Sequence, residues 1–407
     1  MKQNGRRVAI TGIGVVSAVG HNREEFWRAL TECRCGIGPI ESLDSTRLRF
    51  KNGAEVRGFD REACFDPSQF ALLDRFSLFT LVAAREAVCD SGIVFDCELR
   101  QSAAIVTGSS LGGQSTQEVG YAGLYRDGRR VHPLTVPRTM ANAGASHISI
   151  DFGITGTAYT VSTACASSTH AIGQAYRLVR SGDAELAITG GGEAPFTLGH
   201  LMAWDSMRVI SSDSCRPFSL ERQGMVLGEG AAILVLEPLE RALARGAKVY
   251  AEVIGFGASS DAGHITHPCP GGAARAMRAA LDDAGLEPSQ IGYINAHGTG
   301  TRSNDVTEAR AIRDVFGCKN GKLPISSTKS MHGHALGATG ALEAAATALA
   351  LKEGILPPTA NFLTWDPECD LDVIPNAARP LEAEYALSNS FAFGGLNAVL
   401  AFRAHRA

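Results

Sequence analysis

Cys165 stands in the segment Thr163–Gly173, where a strand-like stretch, Ala158–Val161, runs into a turn of small residues and then into helix-forming sequence. A cysteine at such a turn lies at a helix N-terminus. Unpaired N–H groups and the helix dipole there favour thiolate over thiol. Small neighbours leave the sulfur accessible, and nearby backbone N–H groups supply part of an oxyanion hole. The same segment also reads as a buried structural cysteine beside a tight turn.

Three further segments carry chemistry-bearing residues. Asn295–Thr301 places His297 in a glycine loop after a predicted strand. Ser326–Gly340 places Lys329, His332 and His334 in a turn before an alanine-rich helix. Two histidines this close suit a metal, but no Cys or carboxylate stands at ligand spacing, so a catalytic metal is not expected. Ser388–Asn397 reads as a glycine turn between strand-like segments, suited to presenting a backbone N–H. Taken singly, His297 reads as a turn histidine and the last segment as an ordinary tight turn.

The elements that must position these loops alternate along the chain. Short β-branched runs are predicted strands at Val8–Thr11, Ala103–Thr107, Glu185–Ile188, Ala232–Leu236, Val249–Gly255, Gly292–Asn295, Leu323–Ser326 and Val399–Phe402. Predicted helices span Asn22–Thr31, Leu72–Ser91, Ser167–Ser181, Ala273–Ala284, Asp305–Val315 and Ala338–Glu353. This alternation is the pattern of an α/β protein with buried strands. Thr11–Ser17 echoes Ile254–Ser260, each read as a glycine turn after a strand, which hints at a duplicated unit. The charged stretch Glu237–Lys248 connects the halves. No low-complexity linker separates them, so one compact unit is expected.

The 407 residues are 45% hydrophobic with a net charge of −4, a balance that does not build the whole chain as a nucleic-acid binder. The ten cysteines, Cys318 among them, are scattered without a CxxC pair, which fits reduced thiols and a cytoplasmic protein. The run Val8–Val19 contains Gly12 and Gly14 and reads as a strand and turn, not as a leader. No apolar stretch reaches the roughly 18 residues of a membrane span free of charges or glycine clusters.

Taken together, in this order, the cysteine turn and the HGTGT, KSMHGH and NSFAFGG loops resemble the β-ketoacyl synthase family of the thiolase superfamily. Arg7–Ser17, Cys215–Ser219 and Gly228–Gly230 extend the resemblance over nearly the whole chain. The nearest subgroup looks like the synthase II type, with nodulation-type and polyene or polyketide relatives close. The resemblance implies a thiolase-like α/β fold, a duplicated unit in five layers (αβαβα), divided into halves 1–250 and 251–407. It implies a dimer with strand pairing across the interface, no cofactor, and acyl carrier protein as partner.

It further implies that Cys165 takes an acyl chain from a carrier-protein thioester, and that malonyl carrier protein then loses CO2 and attacks that chain, extending it by two carbons. The N–H groups of Cys165 and Phe393 would hold the tetrahedral oxyanion. Nε–H groups of His297 and His334 would hold the malonyl carbonyl and the enolate, with Lys329 orienting near His334 and Glu308. Thr299 and Thr301 match positions that bind the phosphopantetheine arm, and Phe393 a gating ring. Leu111 matches a residue lining the acyl pocket. Asn295, Glu343, Ser388 and Asn389 match a structural cation site, which a hydrogen-bonded polar cluster would resemble.

Four departures stand out. Ala392 replaces a gate-loop glycine and should restrict a swinging loop. Ser110 replaces a glycine beside the acyl pocket. Pro67–Arg75 holds a single basic residue, Arg75, where synthase II relatives carry several. Carrier docking then falls to Arg75, Arg208, other basic residues or a partner subunit. The last departure favours a specialised polyene, polyketide or modified-fatty-acid enzyme, either a homodimer or a heterodimer with a chain-length factor. A thiolase would need a second cysteine in Ser388–Asn397, which has none. A non-catalytic chain-length partner would lack Cys165. Acyl transfer without elongation would release no CO2 from malonyl carrier protein.

Overall fold

A computed structural model gives the architecture and describes residues 5–317 and 323–406; Cys318 lies outside them. Ten strands of the main sheet fall into two sets of five, and an eleventh, Asp372–Val373, edges the second set. The first set is β1 (Val8–Ser17), β2 (Ala103–Gly108), β3 (Ala158–Val161), β4 (Leu186–Glu193) and β5 (Gly230–Pro238). The second is β6 (Ala251–Ser260), β7 (Ile291–Asn295), β8 (Pro324–Ser326), β9 (Tyr385–Ala392) and β10 (Leu396–Ala404). The spatial orders are β1-β5-β4-β2-β3 and β6-β10-β9-β7-β8. In each set the first three neighbours run antiparallel and the last two pairings are parallel. The two sets join into one continuous sheet through β1 and β6, where Val8–Ile10 pairs with Ala251–Val253.

Five helices layer these sets: α1 (Arg75–Ser91), α2 (Ser167–Ser181), α3 (Pro270–Ala284), α4 (Arg302–Phe316) and α5 (Thr339–Glu353). The first, α1, covers β1, β5 and β4 from outside, and α3 covers β6 and β10. Both α2 and α5 pack on strands of both sets and on each other, which makes them the middle layer of an αβαβα stack. Their sequences suit that place. Every residue of α5 from Thr339 to Leu351 is buried, and alanine recurs along it. Strands flanked by helices on both faces read as unbroken apolar runs, and β1, β4 and β5 are buried at every residue.

The two glycine echoes are not turns after strands. They are strand interiors, because β1 and β6 run on to Ser17 and Ser260. A Cβ on Gly12 or Gly14 would lie 2.0 or 1.9 Å from the carbonyl oxygens of Ala87 and Ala83 in α1. A Cβ on Gly255 or Gly257 would lie 2.5 or 2.1 Å from those of Ala280 and Ala276 in α3. Glycines two apart face the same side of a strand. Here they let an alanine-rich helix lie directly on the sheet, in the same way in both halves.

The polar Ser388–Ala392 segment, read as part of a turn, belongs to β9 and pairs through Ala392 with Leu396. Only the residues between them turn. Three helices carried no usable apolar period and were not predicted: Gln114–Asp127, Ala143–Phe152 and Leu198–Met207.

One backbone feature is repeated. Ala164 has φ +48° three residues before α2, and Leu336 has φ +46° three residues before α5. Left-handed φ at a non-glycine residue costs roughly 1–2 kcal/mol. It turns the chain sharply into the helix, and the next residue is Cys165 in one half and Gly337 in the other.

Candidate active site

The elbow at Ala164 sets Cys165 just ahead of α2, buried, on the wall of a partly open pocket with a cavity volume of about 100 Å³. The same pocket is lined by His297, His334, Thr299, Thr301, Ala392 and Phe393. The sulfur accepts hydrogen bonds from the backbone N–H groups of Phe393 and of Cys165 itself. Burial nevertheless pushes the thiol up to about 11, against the pull of Lys329 and those two donors. The expected preference for thiolate is thus corrected: desolvation outweighs the donors, and the resting group is the thiol.

Both histidines are neutral, their pKa values held well below the ordinary histidine range by burial and by the Lys329 cation. Their tautomers follow from their partners. The Lys329 ammonium lies 3.2 Å from His297 Nδ1 and can only donate, so the ring proton sits on Nε2. The Leu336 N–H donates to His334 Nδ1 at 3.2 Å, which again leaves the proton on Nε2. The two rings meet edge to face, with centroids 5.5 Å apart.

Lys329 is fully buried and bonds the His297 carbonyl at 2.5 Å. It pairs with Glu343, whose carboxyl is pushed up to about 8 by burial against the pull of that lysine. Glu308 instead accepts from the N–H groups of His297 and Gly298, both at 2.8 Å, and from Asn389 at 3.2 Å. It positions the histidine loop and does not face the sulfur's partners. Thr299 and Thr301 share a hydrogen bond of 2.8 Å at the pocket wall, and Thr301 also caps α4.

Ala392 carries no left-handed φ. The positive values in its loop fall on Gly394 (+83°) and Gly395 (+69°), so the alanine fits the conformation seen and strains nothing. Phe393 stacks on Trp204 with centroids 5.9 Å apart. Leu111 packs into the same apolar cluster as Phe393, Trp204 and Met225, behind the pocket wall. Ser110 donates through its N–H (2.7 Å) and hydroxyl (2.5 Å) to the buried Glu193. Glu193 also accepts from Ser109, Leu111 and Gly337. Sequence reasoning missed both Glu193 and Trp204. The glycine run before Glu193 was the available signal; a lone tryptophan gives none.

Of the cation residues, Asn295 lies opposite Ser388 in the ladder and donates to the Glu343 carbonyl at 3.4 Å. Side chains alternate along a strand, so Asn389 faces the other way, toward Glu308 and Met277. Asn389 therefore leaves the expected set, while three buried oxygens, on Asn295, Glu343 and Ser388, have no hydrogen-bond partner. An all-oxygen set with orphaned acceptors suits a hard cation.

The docking arginines differ. Arg75 bonds the buried Glu229 at 2.8 and 2.6 Å and the Val56 carbonyl, while its side chain stays 39% exposed. Arg208 is exposed at the end of the Leu198–Met207 helix. The nine described cysteines are all free thiols. Among the described residues no helix is long and apolar enough to cross a membrane.

With this geometry in hand, comparison with known proteins gives a consistent set of likenesses. The family model described as "Beta-ketoacyl synthase, N-terminal domain" matches residues 5–242, and "Beta-ketoacyl synthase, C-terminal domain" matches 250–363. "Nodulation protein E" of Rhizobium sp. (strain N33) is 45% identical over 98% of this chain and 99% of its own. "3-oxoacyl-[acyl-carrier-protein] synthase 2" of Staphylococcus aureus (strain N315) is 43% identical over 99% of each. Among solved structures, "The ishigamide ketosynthase/chain length factor" superposes with a TM-score of 0.94 at 38% identity, over 99% of this chain and 100% of that one. A β-ketoacyl synthase from Burkholderia phymatum STM815 gives 0.92 at 37%, over 98% and 100%.

Proposed function

From the premise that the chain belongs to the β-ketoacyl synthase family, we propose that it condenses malonyl carrier protein with an acyl chain held on Cys165. The observation that carries this reading is the convergence on one pocket of a sulfur held by two backbone N–H groups and two histidines that each retain an Nε2 proton.

Cys165 Sγ attacks the acyl thioester carbonyl. The N–H groups of Cys165 and Phe393 receive the oxyanion, and the pantetheine thiol leaves with the proton that Cys165 gives up. The malonyl thioester then places its carbonyl oxygen against Nε2–H of His297 and His334. Its bond to the carboxylate breaks, CO2 departs, and the electron pair becomes an enolate on that oxygen. Neutral histidines suit this step because they donate to the developing charge without carrying one into the ground state. The enolate carbon attacks the acyl-Cys165 carbonyl, the tetrahedral intermediate expels the Cys165 thiolate, and that thiolate takes up a proton from solvent. Lys329 fixes the His297 tautomer, Glu308 fixes its loop, and Thr299 and Thr301 would bind the pantetheine arm. A cation held by Asn295, Glu343 and Ser388 would lock β7, α5 and β9 together behind the histidines.

The acidic face of an acyl carrier protein would dock near Arg208. A subunit contact through β3 would give a dimer, either with a second copy or with a chain-length factor; the likeness to the ishigamide ketosynthase/chain length factor supports the second arrangement. The decisive experiment incubates the chain with malonyl carrier protein and a panel of acyl carrier proteins. Mass spectrometry should find an acyl adduct on Cys165 and a product two carbons longer. An adduct without CO2 release would make it a simple acyltransferase.

A further inference from the structure

We propose that Trp204 is a specificity-determining residue that selects flat, conjugated acyl chains for Cys165. This rests on the reading that Cys165 is acylated. Trp204 and Phe393 both lie on the wall of the pocket that holds the sulfur. Their rings are nearly parallel, at 22° with centroids 5.9 Å apart. Phe393 is also the residue whose N–H bonds the sulfur. A chain attached to Cys165 therefore starts beside this aromatic pair.

The indole is fixed. Its Nε1–H donates to His200 Nε2 at 2.8 Å, one turn earlier on the same helix, and the two rings meet edge to face. Burial keeps His200 neutral, so its acceptor lone pair is available. Glu118 accepts from the N–H groups of Leu198 and Gly199, both at 2.7 Å, and pins the start of that helix to the Gln114–Asp127 helix. Turning the indole would strand its donor in an apolar site, which is costly.

Val209, Met225 and Ile265 give the same wall an aliphatic, adaptable part, beside the polar histidine and threonine loops and Phe391. Against one rigid aromatic face, a saturated chain gives up its rotor freedom on binding. A conjugated chain has little such freedom to lose and gains stacking on the aromatic face.

The test compares acylation of Cys165 by hexanoyl and hexa-2,4-dienoyl pantetheine thioesters, read by intact-protein mass spectrometry in wild type and in Trp204→Leu. The two thioesters differ in intrinsic reactivity, but that difference cancels when the dienoyl-to-hexanoyl rate ratio is compared between proteins. The wild-type ratio should exceed the variant's by about 3- to 10-fold, the size of an aromatic contact. His200→Phe, which releases the indole N–H outside the pocket wall, should lower the ratio at least about twofold and serves if Trp204→Leu fails to fold. Equal ratios in wild type and both variants would overturn the proposal and leave the role of Cys165 standing. Failure of both chains to load on wild-type Cys165 would overturn both.

Discussion

The Cys165 thiol is raised to about 11 by its surroundings, although it sits beside two N–H donors and a lysine. Thiolate is the reactive form, and its fraction rises tenfold per pH unit below the pKa. Alkylation of Cys165 by iodoacetamide should therefore climb about tenfold per unit from pH 7 to 9 without levelling, as followed by mass spectrometry. A plateau near pH 8 would show that the donors prevail over burial. His297 and His334 are depressed, so they remain neutral at and below the ordinary histidine range. CO2 release in single turnover should accordingly show no inflection near pH 6.5 on going from pH 8 to 6. His297→Ala removes one of two enolate donors and should slow that step by roughly 10²–10³ while acyl loading persists; normal CO2 release would remove His297 from the mechanism. The reacting residues were legible because the cysteine turn and the three later loops occur together in one order; singly, the cysteine reads as well as a structural residue and His297 as a turn residue. Their support was not. Glu193 behind Ser110 and Trp204 beside Phe393 are contacts between segments far apart in sequence, and no local spacing encodes them; the pairing of Lys329 with Glu343 depends on how the turn folds back on α5.

At the scale of elements, sequence period located the strands and helices of the core, and α2 falls at the bounds that its pattern predicts. The pattern failed where glycine or polar residues fill a strand that packs tightly. Gly12 and Gly14 in β1 read as a turn because glycine usually marks one, yet here it clears space for α1. Ser388 and Asn389 in β9 read as loop because polar residues seldom fill a buried strand. The close approach has a measurable consequence. Gly14→Ala and Gly257→Ala each force a methyl group onto a helix carbonyl and should destabilise the fold by at least about 1–3 kcal/mol. Urea denaturation of the two variants should give losses of similar size, since they occupy equivalent places; a neutral Gly257→Ala would break the equivalence.

For the whole molecule, β3 ends its sheet and pairs only with β2 among the described residues. An open strand edge invites another chain. Nearby, the helix Ala143–Phe152 packs on β3 and leaves Ile150 75% exposed, and the helix Gln114–Asp127 leaves Tyr125 80% exposed. Apolar residues this exposed suit a subunit contact. Native mass spectrometry should find a species twice 42.8 kDa, or a pair with a related subunit, and Tyr125→Lys with Ile150→Lys should return it to the single-chain mass. A dimer indifferent to both changes would place the contact elsewhere. The two elbows serve different ends. In the first half the left-handed Ala164 presents a nucleophile; in the second, the left-handed Leu336 presents only the Gly337 N–H, which bonds Glu193. The second elbow holds a carboxylate that braces the other half's Ser109–Leu111 loop. A side chain at Gly337 would collide with Glu193 and the Ser110 backbone, so the same turn presents a side chain in one half and has room only for a backbone N–H in the other.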